Sequence, residues 1–511
     1  MTATFTVDKK KIFRNTLLLY IRMAFVLLAG FCIVRLLLKE LGVIDYGIYN
    51  TIFGLISLFI FFRNAMAVTV QRFLCHEIGQ SQVENARRVF EVSIFLFLAT
   101  ALILLIFAET AGLWFVRSKI NIPPDRLSAA LIIYQISIFA VLLKLLQIPF
   151  SAVITSHENM KVFSRISILE CFLHLTAVFC LNFISGDKLI YFAALYACTD
   201  LLILTCYAAY CCRKYEECSL KLRIDFATLK SIFSHFGWNV FGSAANISKQ
   251  QGLNLLLNLF CGVILNATWG IATQVGNAAN QFVSNFQQAF NPQILKSYTN
   301  PDKKPFLDLL QNASKYSFLL IWLVTLPILL QTEFLLKLWL NNKLPEDVVL
   351  FTQWTLVFIL FDALCGPMWV AIQATGNIRR YQIQISCLIG MTFVLSLLAL
   401  KFGAPAYSVS VINAGINALT LIYRLYYMRR EINFPVYQYC TGTLLPLGII
   451  AAITLAGGMY LKLFFTAGLC SLIVYMAVMT LLNAVIIFLL GLTRREKSAL
   501  FTYIRRKCTN A

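Results

Sequence analysis

The chain is 511 residues long, 59% of its residues are hydrophobic and 13% are charged, and its formal net charge is +20. A water-soluble core cannot bury so large an apolar fraction, and the apolar runs are long enough to cross a hydrocarbon layer, which needs about 20 helical residues. Composition therefore excludes a soluble fold and predicts an all-α polytopic membrane protein.

Fourteen apolar segments predict transmembrane helices. In chain order they are 15–38, 46–62, 89–112, 128–154, 166–184, 188–211, 236–261, 264–290, 313–334, 349–374, 383–402, 405–428, 441–461 and 466–492. The first six correspond to the next six, and two follow unpaired. The predicted domains are an N-terminal lobe of residues 1–214, a C-terminal lobe of residues 215–434, and a last segment of residues 435–511 with two helices and a basic tail.

Two internal echoes indicate a duplication. The segment from Pro149 to Phe163 reappears from Pro367 to Tyr381 after 218 positions, and Leu41 to Tyr46 reappears from Cys261 to Asn266 after 220. Each predicted copy crosses the membrane an even number of times, so both enter from the same side. Two parallel six-helix repeats around a central cavity are typical of transporters.

The distribution of Lys and Arg predicts the orientation. Most of them lie at the N-terminus, in alternate loops and in the C-terminal tail. Basic loops are characteristic of the cytoplasmic side, so both termini are predicted to be cytoplasmic. The net charge is then explained by topology and by anionic lipid headgroups of the bilayer, and it requires no nucleic-acid partner.

Catalytic motifs are missing from the sequence. It has no Gly-rich phosphate loop followed by Lys and Ser or Thr, and no long loop in which a catalytic unit could fold. Most of the fifteen cysteines lie within predicted helices, and the loop that contains Cys211, Cys212 and Cys218 has no histidine at ligand spacing. We therefore interpret the cysteines as small apolar residues and predict no metal and no cofactor. The chain is predicted not to be an enzyme, with an integral-membrane polysaccharide polymerase or ligase as the alternative.

Positive charges inside the predicted helices are candidate ligands for an anion. Arg22, Lys144 and Lys249 lie well inside helices 1, 4 and 7, and Arg35 lies close enough to the end of helix 1 to reach the interface. A charge at this depth is expensive and tends to face a wet cavity. Guanidinium and ammonium groups there suit a phosphate or pyrophosphate.

Acidic residues inside the helices are candidates for coupling or gating. Asp200 lies in the middle of helix 6, and Asp362 lies 218 positions after Lys144, so the repeat places these two at equivalent positions. We expect Lys144 and Asp362 to face each other across the pseudo-two-fold axis, either as a gate or as a static pair. Glu170 and His174 are neighbours on helix 5 and form either a proton relay or a structural pair.

Helices 7 and 8 carry an unusual number of amide side chains. The predicted sugar-contacting stripe consists of Asn246, Gln250, Asn254, Gln274, Asn277, Gln281, Ser284 and Gln288. On helix 8 these residues recur every three or four positions and so share one face. Amides suit sugar hydroxyls because they offer both donors and acceptors, but they also hold membrane helices together. Both interpretations remain open at this point.

Several segments resemble one family of exporters. They are Arg14 to Arg22 (RNTLLLYIR), Leu41 to Tyr49 (LGVIDYGIY), Gln71 to Leu74 (QRFL), Gly237 to Gly242 (GWNVFG) and Lys249 to Asn254 (KQQGLN). Together they resemble the Wzx-type flippases of polysaccharide repeat units, which belong to the multidrug/oligosaccharidyl-lipid/polysaccharide (MOP) exporter superfamily. The resemblance covers the whole chain.

This resemblance implies fourteen helices in two lobes around a cavity that opens alternately to each side. The implied substrate is a polyprenyl-pyrophosphate-linked oligosaccharide, moved from the inner to the outer leaflet of a bacterial inner membrane for O-antigen, capsule or exopolysaccharide synthesis. Implied partners are a polysaccharide polymerase and glycosyltransferases, and by location Arg22 and Lys249 are expected to hold the pyrophosphate. Multidrug exporters of the same superfamily are the alternative. Because these export organic cations, they are expected to have a carboxylate in helix 1, and residues 15–38 contain none.

Overall fold

The computed structural model describes residues 9–57, 60–118, 124–219, 225–339, 347–465, 468–492 and 496–497. Its α-helices are α1 (Lys9–Ser57), α2 (Ile60–Gly79), α3 (Val83–Phe107), α4 (Leu113–Ser118), α5 (Leu127–Ser156), α6 (Met160–Cys180), α7 (Lys188–Lys214), α8 (Phe226–Ser297), α9 (Lys304–Leu330), α10 (Thr332–Trp339), α11 (Val348–Thr375), α12 (Arg379–Lys401), α13 (Ser408–Ile432), α14 (Val436–Tyr439), α15 (Leu445–Lys462) and α16 (Leu469–Ile486). Each regular element of the described ranges is helical, so the predicted all-α fold class is confirmed.

Nine helical segments within the described ranges are long and apolar enough to span a membrane. They coincide with predicted helices 3–6, 9–11, 13 and 14. Two of them contain a π-helical turn between consecutive α-helices, at Ala108–Gly112 and Cys440–Leu444, and a third ends in one at Ile487–Gly491. The other five predicted helices are also helical, in α1, α2, α8 and α13. The chain is therefore a polytopic helical membrane protein.

A single glycine separates the first two predicted helices of each repeat. Gly42 has φ 75° and ψ 175°, and Gly262 has φ 82° and ψ 178°. This backbone region is accessible almost only to glycine. The two glycines are 220 positions apart, the same shift as the echo from Leu41 to Tyr46, so the sequence duplication has a counterpart in the backbone.

Helices extend beyond the apolar segments on the predicted cytoplasmic side. Helix α2 continues to Gly79 and α8 begins at Phe226, whereas the corresponding predictions ended at 62 and began at 236. Asp225 is the N-cap of α8, and hydrogen bonds to its carboxylate from the Thr228 hydroxyl and from the amides of Ala227 and Thr228 lower its pKa. Hydropathy detects only the apolar part of each helix, and this explains the shorter predictions.

The described residues form two compact units. Unit 1 comprises Met1–Ala244, Gln288–Lys303 and Gln373–Gln382, and unit 2 comprises Ala245–Gln287, Lys304–Ile372 and Ile383–Ala511. Unit 1 thus combines the predicted N-terminal lobe with short segments of the predicted C-terminal lobe. The core of unit 1 includes fully buried Phe90, Phe97 and Val153, and that of unit 2 includes Ile321 and Tyr475.

Candidate functional site

Four ionisable side chains meet inside unit 1 and form what we call the acid–lysine cluster: Lys144, Glu170, His174 and Asp200. Helix α5 contributes the lysine, α6 the glutamate and histidine, and α7 the aspartate. The Lys144 Nζ lies 3.5 Å from Oδ1 of Asp200 and 3.9 Å from Oε1 of Glu170. The His174 Nε2 lies 3.3 Å from the same Asp200 oxygen. Ligand atoms of the two carboxylates and the imidazole all lie within 4.8 Å of one another.

Asp200 is the most deeply buried member of the cluster. Its side chain is 0% exposed, whereas those of Lys144 and Glu170 are 22% and 26% exposed. Neither carboxylate oxygen of Asp200 has a hydrogen bond among the described residues, because the Lys144 and His174 nitrogens lie beyond good hydrogen-bonding geometry. A buried charge without hydrogen bonds is costly, so the Asp200 carboxylate depends on the nearby Lys144 and His174 nitrogens for compensation.

The ring of Tyr196 forms one wall of the cluster. It stacks on His174 with the ring centroids 3.7 Å apart, and the Lys144 Nζ lies 5.1 Å from its centroid. Tyr196 is one turn of α7 before Asp200, so the two side chains share a face of that helix. Stacking fixes the plane of the imidazole next to the carboxylate, which gives the cluster a defined geometry.

Arg22 is partly buried on α1 of unit 1. Its guanidinium carbon lies 4.9 Å from the centre of the Phe163 ring, and Glu170 is close enough to interact with it electrostatically. Within the described part of the chain, its Nε and Nη1 atoms are buried and have no hydrogen-bond partner. A buried donor without an acceptor costs about 1–3 kcal/mol and more when it is charged, so these two donors are available to an anion.

Lys249 occupies a comparable environment in unit 2. Its Nζ donates to Oδ1 of Asn413 at 3.0 Å and lies 5.0 Å from the centre of the Phe358 ring. Asp362 on α11 interacts electrostatically with Lys249. Arg424 of α13 also interacts electrostatically with Asp362. Arg424, which the sequence analysis did not single out, also donates from Nη1 to the carbonyl of Cys365 at 2.8 Å.

The two members of the predicted gate have partners within their own units. Lys144 is next to Glu170 and Asp200 in unit 1, whereas Asp362 interacts with Arg424 and Lys249 in unit 2. A pairing of Lys144 with Asp362 across the pseudo-axis stays a prediction. Arg35 lies in α1, but its side chain is outside the described residues.

Most residues of the predicted polar stripe are exposed on the surface of α8. Asn246, Gln250, Gln274, Asn277, Gln281 and Ser284 are exposed, and Asn254 and Gln288 are partly buried. On the opposite face of the helix, Ala272, Ala279 and Val283 are at most 4% exposed. An amide that holds helices together is buried between them, and most of these side chains are not buried. Their contact with sugar hydroxyls stays a prediction.

Asn239 is a buried amide side chain on α8, in contrast to the exposed amides of the polar stripe. It is 4% exposed, and its Nδ2 donates to the Thr69 hydroxyl at 2.9 Å while its Oδ1 accepts from Gln373 at 2.8 Å. Gln382 extends the network, and a β-carbon at Gly242 would clash with that glutamine. This network within unit 1 holds four helices together, and composition alone cannot separate its amides from those of the stripe.

Comparisons of the structure reveal several similar solved transporters. A MATE in the bent conformation aligns with a TM-score of 0.73 at 13% identity, covering 83% of this chain and 95% of that one. An outward-facing multidrug resistance MATE family transporter of the MOP superfamily gives 0.70 at 13% identity, with 83% and 96% covered. A MOP superfamily transporter from Pyrococcus furiosus, described by a binding pocket of reverse polarity that suggests a different function, gives 0.72 at 12% identity, with 84% and 96% covered.

The chain has the fold of a MOP superfamily transporter. Its similarity to these structures extends over more than four-fifths of its length, so the chain shares their fold. No protein-family model and no curated protein sequence matches it. At 12–13% identity the shared MOP fold does not identify the cargo, so the cargo must be argued from the chain's own side chains.

Proposed function

We propose that this chain transports a polyprenyl-pyrophosphate-linked oligosaccharide across a bacterial inner membrane, with both termini cytoplasmic, for the synthesis of a surface polysaccharide. The observation that carries this proposal is the buried guanidinium of Arg22, whose Nε and Nη1 have no hydrogen-bond partner among the described residues. A carboxylate at that position would suit a cation, whereas a guanidinium with two available donors suits a pyrophosphate.

A second buried cation and the amide stripe support the same class of cargo. Lys249 is held by an amide oxygen and an aromatic face, neither of which carries a formal charge, and Asp362 interacts with it only beyond ion-pair distance within the described residues. The stripe on α8 presents exposed amides such as Gln274, Asn277 and Gln281. Cations for a pyrophosphate and amides for sugar hydroxyls together match an anionic glycolipid. In this proposal a polysaccharide polymerase and glycosyltransferases are the functional partners.

The acid–lysine cluster is the proposed coupling site. Asp200 and Glu170 offer two carboxylates, and His174 adds an imidazole, a group that can take up or release a proton. The Lys144 ammonium lies 3.5 Å from Asp200, in the space that a bound metal cation would need, so we favour a proton over a metal ion. Glu170 also interacts with Arg22, so proton binding at the cluster and anion binding at Arg22 are expected to influence each other.

Export of organic cations is the second candidate function. It is favoured by the similarity to an outward-facing multidrug resistance MATE family transporter. The same fold also occurs in the Pyrococcus furiosus transporter described by a pocket of reverse polarity, so similar folds are compatible with different pocket charges. The two functions predict opposite charge preferences at Arg22.

Reconstituted protein distinguishes these functions directly. Liposomes containing the purified chain are given a fluorescent polyprenyl-pyrophosphate disaccharide on one face or, separately, an organic cation dye. We expect transport of the glycolipid, with at least tenfold loss in Arg22→Ala, because one to two charge-assisted hydrogen bonds of about 1.5–3 kcal/mol each are removed. Arg22→Lys should keep part of the activity, since it retains the charge but loses the planar fork.

Matched controls and a second cation complete the test. Lys249→Ala is expected to reduce glycolipid transport as Arg22→Ala does. Arg165 and Arg429 are exposed arginines of units 1 and 2, so their alanine variants remove a positive charge elsewhere. Dye transport without glycolipid transport, or wild-type glycolipid rates in both Arg22→Ala and Lys249→Ala, would refute the proposed cargo.

Asp200→Asn tests the coupling site in the same liposomes. We expect the variant to bind glycolipid but to lose the stimulation of transport by a pH gradient, because the amide cannot take up a proton. Asp125→Asn, at an exposed position, is the control. Stimulation by a pH gradient that persists in Asp200→Asn would exclude Asp200 as the proton site, and stimulation by a sodium gradient alone would exclude the proton.

A further inference from the structure

Glu158 occupies an unusual backbone conformation in the turn between α5 and α6. Its φ is +59°, and the residue 218 positions later, in the turn between α11 and α12, is Gly376 with φ +81°. Glycine adopts this left-handed region without strain, whereas a residue with a β-carbon does not. The first repeat therefore has a glutamate at a position where glycine, the residue of the second repeat, would cause less backbone strain. This indicates that the Glu158 carboxylate has a specific role.

The Glu158 side chain is fully engaged by the end of α8. Its Oε1 accepts from the Lys296 Nζ at 3.1 Å, and its Oε2 accepts from the Gln293 amide at 3.0 Å. The side chains of Glu158 and Lys296 are 2% and 7% exposed, and Gln293 is 0% exposed. The backbone carbonyl of Glu158 accepts a further bond from Asn15 of α1 at 3.1 Å. A complete, buried ion pair thus joins segments of the two predicted repeats within unit 1.

A related contact involves the equivalent turn of the second repeat. Arg72 of α2 donates from Nε to the carbonyl of Gln373 at 3.1 Å, and a β-carbon at Gly376 would clash with the Arg72 guanidinium. Arg72 lies 220 positions before Pro292, so α2 and the end of α8 correspond in the repeat. In both contacts a turn of one repeat meets a basic side chain on a helix of the other, and in the first the turn itself contributes a carboxylate, that of Glu158.

An apolar contact lies close to the ion pair. Leu19 of α1, Met160 of α6 and Ala289 of α8 are each 0% exposed and pack together. Burying charges beside such a contact contributes little net stability, because the desolvation of both ions offsets their attraction. Removing one partner is different, since it leaves a single buried charge that water must reach.

We propose that the Glu158–Lys296 pair is the charge lock of a gate on the predicted cytoplasmic side, which must open and re-form in each transport cycle. When the segments separate, water solvates both ions, and when they meet, each ion neutralises the other. The pair therefore permits closure only when both charges are present or both are absent. This inference rests on the proposed transport function but not on the proposed cargo.

Cys75 is a natural reporter of this gate. It is 0% exposed on α2 and interacts with Lys296, Ser156 and Glu158, and burial raises the pKa of its thiol to about 11. Both burial and the low thiolate fraction slow its alkylation while the gate is closed. Cys212, at the end of α7, is exposed and serves as the internal control in the same molecule.

The experiment measures alkylation rates of Cys75 and Cys212 by a water-soluble maleimide in the full-length protein, without substrate, using peptide mass spectrometry. Glu158→Gln and Lys296→Met should each raise the Cys75 rate about tenfold or more, because each leaves one buried charge unpaired. The double variant should return to near the wild-type rate. Glu158→Gly, which relieves the backbone and deletes the carboxylate, should resemble Glu158→Gln. The exposed pair Glu84 and Arg87, 3.1 Å apart, is the matched control.

Each other outcome overturns the proposal. Unchanged Cys75 rates in the single variants would show that the carboxylate does not hold the gate closed. A parallel rise at Cys212 would identify the pair as a general stabiliser of the fold. If Cys75 is alkylated as fast in the double variant as in the single variants, closure does not depend on matching the charges of residues 158 and 296. Because no substrate is present, these results do not depend on whether the cargo is a glycolipid.

Discussion

Replacing Gly42 by alanine tests the backbone break between the first two helices. At φ 75° and ψ 175° an alanine is strained, and no heavy atom lies within 4 Å of the position its β-carbon would occupy. The expected destabilisation is therefore conformational, about 1–3 kcal/mol. Gly30, on the same helix, also has open space around it but no left-handed φ, so Gly30→Ala should gain about 0.5–1 kcal/mol.

The assay compares thermal midpoints in one detergent by tryptophan fluorescence. We expect Gly42→Ala to unfold at a lower temperature than Gly30→Ala, with a difference in stability of about 2 kcal/mol or more. The second repeat offers an independent pair, Gly262→Ala and its helical control Gly270→Ala. If the variants of Gly42 and Gly262 match their controls, the breaks are not fixed by glycine and the reasoning fails.

Two further predictions concern ion pairs outside the apolar segments. Burial would raise the pKa of Glu217, but hydrogen bonds from His157 and the backbone outweigh burial and lower this pKa below the usual 4.5. The ionised Glu217 therefore contributes stability above pH 4.5, and this contribution is lost as the pH falls through the lowered pKa. Glu217→Gln should thus flatten the loss of thermal stability below about pH 4.5, and an unchanged pH profile would contradict this. Arg126 bridges Asp45 and Asp187 with both sides of its guanidinium, so Arg126→Lys should lose about 1–2 kcal/mol in thermal unfolding, and wild-type stability would show that the fork is not needed.

The repeat is the feature that the sequence predicts best. Shifts of 218 and 220 place Glu158 opposite Gly376 and Gly42 opposite Gly262, and the backbone angles agree at both positions. Identical residues are not required for this, because the torsion angles of a turn or break survive when side chains diverge. The left-handed conformation of Glu158 could be predicted from the sequence, because the equivalent residue of the second repeat, Gly376, is a glycine.

The partners of buried charges are much harder to predict. Spacing along one helix brings Glu170 next to His174, but it carries no information about which face of α5 meets α7. The sequence therefore does not predict that Lys144 lies close to Asp200. It also does not predict that Arg424 interacts with Asp362. Hydropathy likewise underestimates helices such as α2, because a helix needs no apolar residues once it leaves the hydrocarbon layer.

The glycine breaks also determine how motion can pass along the chain. Consecutive Cα atoms are held about 3.8 Å apart, so a helix joined to the next at one glycine cannot tilt without displacing its neighbour. Helices 1 and 2, and likewise 7 and 8, are therefore expected to move as mechanically linked pairs.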